Sequence, residues 1–190
     1  MTTSAVTPST ASTAPGVSTP ERRRDVIAVV GNPRPGSRTR LVAEALSRAI
    51  ADLLDTRTAP TIDLADLAQE VFAPARPAVD DALRRLSAAR VAVIATPVYK
   101  ASYTGLLKSF LDLYGADGLR GLVAVPLVVS GNPAHSLAGE VHLRPLLVEL
   151  GASVPTRALA LTEAQLGSLD DVVAGWLDAQ GSVLAVGVRA

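Results

Sequence analysis

The chain reads as an α/β protein built on a doubly wound five-stranded parallel sheet with helices on both faces. Two observations predict this. Short β-branched runs alternate along the chain with segments whose apolar residues recur at helical spacing. Two of the runs, Val91–Ala95 (VAVIA) and Leu122–Val129, are almost unbroken apolar stretches, the pattern of strands covered on both faces.

The elements follow in order. Asp25–Val30 (DVIAVV) is a β-branched run closed by a Gly/Pro turn and is the first strand. Leu41–Leu54 carries apolar residues at 42, 46, 50, 53 and 54, one stripe of a helix. Pro60–Asp63 is a short second strand, and Asp80–Ala89 a helix beginning just after Pro77. Val91–Ala95 is the third strand, Thr104–Tyr114 a helix, Leu122–Val129 the fourth strand, Leu137–Leu150 a helix and Thr156–Leu161 the last strand. The final helix opens at Ser168, with Asp170 and Asp171 at the positive end of its dipole. Its apolar face is Leu169, Val172, Val173, Trp176 and Leu177, and Gly181 is expected to end it. Inside Leu137–Leu150, Pro145 has no N–H for the carbonyl of Val141, which predicts a kink or a widened π-type turn around Val141 and His142.

Composition narrows the function classes. Apolar residues make up 48% of the 190 and charged ones 19%, enough for one sizeable core and too few charges for a disordered chain. The 18 basic and 18 acidic side chains cancel, which removes the electrostatic footprint of a nucleic-acid binder. With no Cys and two His, a disulfide framework, Cys-based zinc sites and thiol catalysis are excluded. No apolar run approaches the length that spans a bilayer, so no membrane partner is expected. Residues 1–20 hold six Thr, four Ser and three Pro without a charged side chain, so they have neither the basic start nor the apolar stretch of a signal peptide. Residues 1–24 are read as a disordered tail, residues 25–190 as one domain, and the compartment as the cytoplasm.

In a doubly wound sheet, ligands sit at the carboxyl ends of strands where the winding reverses. Three loops qualify. The first, Gly31–Arg40 (GNPRPGSRTR), has the glycine spacing of a P-loop but Ser37 where that motif needs Lys, which argues against nucleotide hydrolysis. Asn32, Arg34, Gly36, Ser37, Arg38 and Thr39 keep their N–H groups, Ser37 and Thr39 add hydroxyls, and Arg34 and Arg38 add guanidinium forks before a helix N-terminus. That set suits a phosphate, and it equally fits a turn with a Ser/Thr cap and solvated arginines. The second loop, Ala95–Gly105, holds two of the three tyrosines, Tyr99 and Tyr103. Pro97, Val98, Tyr99 and Lys100 would wall a flat ring and meet its polar edge, or the tyrosines simply pack at a strand end. The third loop runs Ser130, Gly131, Asn132, Pro133, Ala134, His135, Ser136. Gly131 permits close approach of a ligand to the backbone. His135 is either a polar contact or an exposed loop residue, and Trp176 is read as core.

These segments, GNPRPGSRTR, then ATPVYKASYTGLLKSFLDLYG, then SGNPAHSLAGEVHLRPLL, resemble the NAD(P)H-dependent FMN reductases over roughly residues 25–165. The closest likeness is to the flavin reductases of alkanesulfonate and methanesulfonate two-component monooxygenase systems. The most specific part is Thr96–Lys100 with Gly105, Leu107, Lys108 and Asp112. Other branches carry Glu and Asn where this chain has Val98 and Lys100, and Asn132 replaces the second glycine usual in the third loop. The resemblance implies a flavodoxin-like fold that binds FMN. Asn32, Arg34, Ser37, Arg38 and Thr39 would hold the phosphate. Pro97, Val98, Tyr99 and Lys100 would line the isoalloxazine, with Ser130, Gly131 and Asn132 at another edge. Hydride would pass from the nicotinamide of NADPH or NADH to flavin N5, with no side-chain acid or base required and no catalytic residue named. Implied partners are a flavin-dependent monooxygenase and further copies of the chain, as a dimer or tetramer using Leu106–Tyr114 and Leu137–Leu150. Relatives in the sulfonate branch carry an extra Tyr or His, associated with a π-helix and releasable FMN, at positions matching Val141 and His142. Two other readings stay open at this point: a quinone, azo or metal-ion reductase with tightly bound FMN, and a flavodoxin-like electron carrier.

Overall fold

A computed structural model describes residues 25–189; the tail read for residues 1–24 lies outside the described residues. Five strands, β1 (Val26–Val30), β2 (Ile62–Asp63), β3 (Val91–Pro97), β4 (Val123–Ser130) and β5 (Leu159–Thr162), form one sheet in the order β2-β1-β3-β4-β5. Every pairing is parallel. The winding reverses between β1 and β3, which opens a crevice at their carboxyl ends.

Helices α1 (Arg38–Leu53) and α5 (Leu169–Arg189) cover one face. Helices α2 (Pro77–Ala88), α3 (Gly105–Leu111) and α4 (Arg144–Glu149) cover the other. The period-two geometry of a strand explains the unbroken apolar runs. Ile27 and Val29 of β1 join Leu86, Phe110, Leu143 and Leu147 on one side. Val26, Ala28 and Val30 join Leu46, Ile50, Trp176 and Leu184 on the other. All seven residues of β3 and all eight of β4 are buried. Trp176 is core, as expected, with its Nε1 donating to the Arg157 carbonyl at 3.1 Å. No helix among the described residues is long and apolar enough to cross a membrane.

Where element ends differ from expectation, hydrogen bonds give the reason. α1 opens at Arg38 because the Ser37 hydroxyl accepts from Arg40 N and caps it. α2 starts at Pro77 instead of Asp80, since a first-turn proline has no intrahelical bond to lose. β5 starts at Leu159 instead of Thr156, whose carbonyl is taken by Arg144. Gly181 does not end the last helix, which continues to Arg189. A Cβ on Gly181 would lie 3.2 Å from Leu53 Cδ2, so this glycine lets α5 approach α1 closely.

The stretch expected as a helix over Leu137–Leu150 is helical from Ala138 to Glu149 and widened within. A 3₁₀ turn at Pro133–His135 precedes a π-helical turn at Gly139–Leu143, and α4 follows. The widened turn falls where Pro145 predicts it: Arg144 N–H bonds to the Gly139 carbonyl five residues back. The turn is pinned to the segment before β5. A Cβ on Gly139 would lie 2.6 Å from that of Ala158. The Glu140 carboxylate accepts from Ala158 N and from Arg144 Nε, both at 2.6 Å. Arg144 also donates to the carbonyls of Val154 and Thr156 at 2.6 and 2.5 Å.

The bond from Arg144 holds the Glu140 carboxyl below its ordinary range, helped by the Ala158 amide and opposed by partial burial. A carboxyl lowered on folding stabilises the fold above its unfolded pKa, and this contribution disappears as pH falls through the folded value. Wild type will therefore lose more thermal stability than Glu140→Gln between about pH 6 and about pH 3. Melting curves that shift in parallel over this range would remove Glu140 as a charged anchor of the turn.

Candidate functional site

The loop after β1 is shaped by its own side chains. Gly31 N donates to the Ala95 carbonyl at 2.7 Å, and a Cβ on Gly31 would lie 2.6 Å from Leu107 Cβ, so only glycine lets the loop rest on α3. Buried Asn32 accepts from Arg34 N at 3.0 Å and donates to Thr39 Oγ1 at 3.1 Å. Gly36 takes φ +60, and its N–H points to the buried Asp63 carboxylate at 3.4 Å. Asp63 also receives Arg40 at 3.5 Å. Ser37 is occupied as the cap of α1, whose first-turn N–H groups face the crevice end of the helix.

The loop after β3 is tied to the first. Thr104 caps α3 by accepting from Leu107 N at 3.1 Å, and its hydroxyl donates to the Gly31 carbonyl. Thr104 N donates to Thr96 Oγ1 at 3.1 Å. Beyond Pro97, Val98 N donates to the Val129 carbonyl at 2.9 Å, so this amide is spent within the sheet. Tyr99 and Ser102 exchange both backbone hydrogen bonds, at 2.9 and 3.1 Å. The two residues between them, Lys100 and Ala101, take φ +51 and +66. Left-handed backbone at a non-glycine residue costs about 1–2 kcal/mol. The hairpin therefore carries strain beside the crevice. Tyr99 is left 44% exposed.

In the loop after β4, the Ser130 hydroxyl donates to the Asn132 carbonyl at 2.9 Å. The Asn132 side chain accepts from Ala134 N at 2.9 Å and caps the following 3₁₀ turn. A Cβ on Gly131 would meet no protein atom within 4 Å, so packing within the chain does not demand glycine there.

The first two loops, with Val129 of β4 and Glu163 after β5, form a cleft of about 430 Å³ lined by Asn32, Arg34, Pro35, Ser37, Arg38, Thr39, Pro97, Tyr99, Val129 and Glu163. Seven residues singled out in the sequence meet there: Asn32, Arg34, Ser37, Arg38, Thr39, Pro97 and Tyr99. Val98, Lys100, Ser130, Gly131 and Asn132 lie outside this lining, in the loop positions that follow Pro97 and Val129. Two acids went unnoticed in the sequence. Asp63 ends β2 and braces the first loop; Glu163 follows β5 and forms an ion pair with Arg38 at 2.8 Å. Both stand at carboxyl ends of strands, so the rule that singled out three loops would have found them if applied to all five. Among the described residues no group of His, Asp and Glu could hold a metal ion.

Comparison with known proteins agrees with this geometry. The family model for NADPH-dependent FMN reductase matches residues 24–165. The chain is 38% identical over 130 residues to an FMN reductase (NADPH) of Escherichia coli K12, covering 67% of each chain. It is 31% identical over 133 residues to the NADH-dependent FMN reductase SfnE of Pseudomonas putida, covering 67% of this chain and 71% of that one. Among solved structures, the apo form of an NADH:FMN oxidoreductase (EMOB) superposes with a TM-score of 0.76 at 30% identity, covering 85% of this chain and 89% of that one. A parallel 2-1-3-4-5 sheet, a cleft of phosphate-type donors at its switch point and these matches lead to one assignment: the chain belongs to the NADPH-dependent FMN reductase family and is an FMN- and NAD(P)H-using flavin reductase.

Proposed function

We propose that the FMN phosphate is held at the N-terminus of α1 and that the flavin is a substrate released, once reduced, to a separate flavin-dependent monooxygenase. The observation carrying the phosphate assignment is the donor set in the cleft. Arg34, Arg38 and Thr39 line one cleft at the N-terminus of α1, together with Asn32 and Ser37. Asn32 and Asp63 fix the loop that carries them, so the donors need little reorganisation. Pro97 and exposed Tyr99 offer the wall for the ring, and Gly131, with open space where a side chain would be, gives its edge room to approach. Val98, Lys100, Ser130 and Asn132 complete this ring subsite from the positions flanking the cleft. When bound, FMN accepts hydride from NADH or NADPH; the chain's part is to hold the two rings face to face and exclude water between them.

The release reading rests on the π turn and its surface. Leu137, Val141 and Val148 are 65%, 59% and 55% exposed along this one stretch. Such a stripe suits a symmetric contact between copies of the chain, which puts the π turn at a subunit interface. The name of the NADH-dependent FMN reductase SfnE, similar to this chain, gives FMN as what that protein reduces, which supports the same reading.

Steady-state oxidation of NADH and NADPH by the purified chain tests the proposal. Turnover will depend on added FMN and saturate with it, and the protein will leave gel filtration without flavin. Protein that stays yellow and turns over without added FMN would overturn the substrate reading and leave the family assignment intact.

A further inference from the structure

Among the described residues that line the cleft, Glu163 is the one acid in a wall that otherwise suits an anion. Its carboxylate accepts from Arg38 Nη1 at 2.8 Å, across 125 residues of sequence, so the pair joins the start of α1 to the turn after β5. The side chains are 61% and 45% exposed, which makes the pair weak and easily exchanged. A site selected only to retain a phosphate would gain nothing from a carboxylate there. A phosphate dianion reaching Arg38 must share the guanidinium with Glu163 or displace it, and feels like-charge repulsion in either case.

We infer that Glu163 sets the affinity of the phosphate subsite by competing for Arg38, and so keeps FMN exchangeable; this rests on the phosphate reading proposed above. The carboxylate acts on the part of the flavin that distinguishes FMN from riboflavin. Removing its charge therefore changes one ligand and not the other. The surrounding turn does not depend on it, because Thr162 and Gln165 close that turn with their own capping box.

The experiment is a charge series, Glu163→Gln and Glu163→Lys, titrated with FMN and with riboflavin by flavin fluorescence quenching at low and high salt. Glu163→Gln will bind FMN about three- to tenfold more tightly at low salt. Glu163→Lys will bind it more tightly still. Riboflavin affinity will not move, and the gain will shrink at about 1 M salt, where screening acts within a few ångströms. Unchanged or weaker FMN binding in Glu163→Gln, or an equal shift for both flavins, would overturn the inference. If wild type prefers FMN and the series does not increase that preference, only the role of Glu163 falls. If wild type binds both flavins alike, the phosphate subsite falls with it.

Discussion

Arg34→Ala will weaken FMN binding by at least about tenfold and leave riboflavin binding unchanged. A charge-assisted hydrogen bond to a phosphate contributes about 1.5–3 kcal/mol, and about 1.4 kcal/mol is a factor of ten. Three cleft residues bear on this choice. Ser37 is a poor target because its hydroxyl caps α1, and removing it would loosen the helix that presents the amides. Arg38 is paired with Glu163, so removing it also leaves that carboxylate unpaired in the cleft, and the loss would mix two effects. Arg34 is exposed on the cleft wall, and its backbone N–H, not its guanidinium, is what the Asn32 cap uses. Its removal therefore leaves the loop conformation in place. Fluorescence titration of both flavins, with circular dichroism to verify the fold, measures the effect. Equal losses for FMN and riboflavin would move the phosphate away from this loop.

The sheet was legible because both of its faces are covered, so burial alone wrote VAVIA and the run from Leu122 to Val129 into the sequence. The alternation with helical stripes then left few topologies open. The π turn was legible for a covalent reason: Pro145 lacks the N–H that an α-helix requires. Gly181 misled because glycine serves two purposes. Its lack of a side chain is used here for contact with Leu53, and a helix stop looks the same in one dimension. The first loop reads as rich in donors, but a sequence does not say which donors the chain itself consumes. Ser37, Asn132 and the Val98 amide are all engaged in caps or sheet bonds. Asp63 and Glu163 stand where the strand-end rule points, but what they pair with lies 23 and 125 residues away. Pairings at that separation exist only once the sheet has formed.

Deleting His142 will turn the π turn into a regular helical turn, tighten FMN retention by about tenfold or more, and weaken the proposed contact between copies. The argument starts from what pins the turn at each end. Gly139 and Glu140 are held against Ala158. Leu143 and Leu147 are anchored in the core under the sheet. The chain between these anchors is one residue too long for an α-helical ladder, and the excess is taken up as the wider turn. Removing Pro145 alone would restore an N–H but not the length, so Pro145→Ala will keep the π turn. Removing one residue takes away the slack. The flanking segments keep their orientation, since the wider turn uses one more residue for nearly the same angular advance, and only the bulge is lost. The bulge lies in the exposed stretch that carries Leu137, Val141 and Val148, so its loss changes the shape of the face offered to a second copy. Light scattering will show a smaller particle than wild type, and gel filtration will show flavin travelling with the protein. Reduced-flavin transfer to an added monooxygenase will fall accordingly. Val141→Ser separates surface from geometry: it keeps the turn, weakens the contact and leaves FMN retention low. A deletion variant that folds, keeps the wild-type particle size and releases FMN as before would reduce the π turn to a bend imposed by proline on a surface helix.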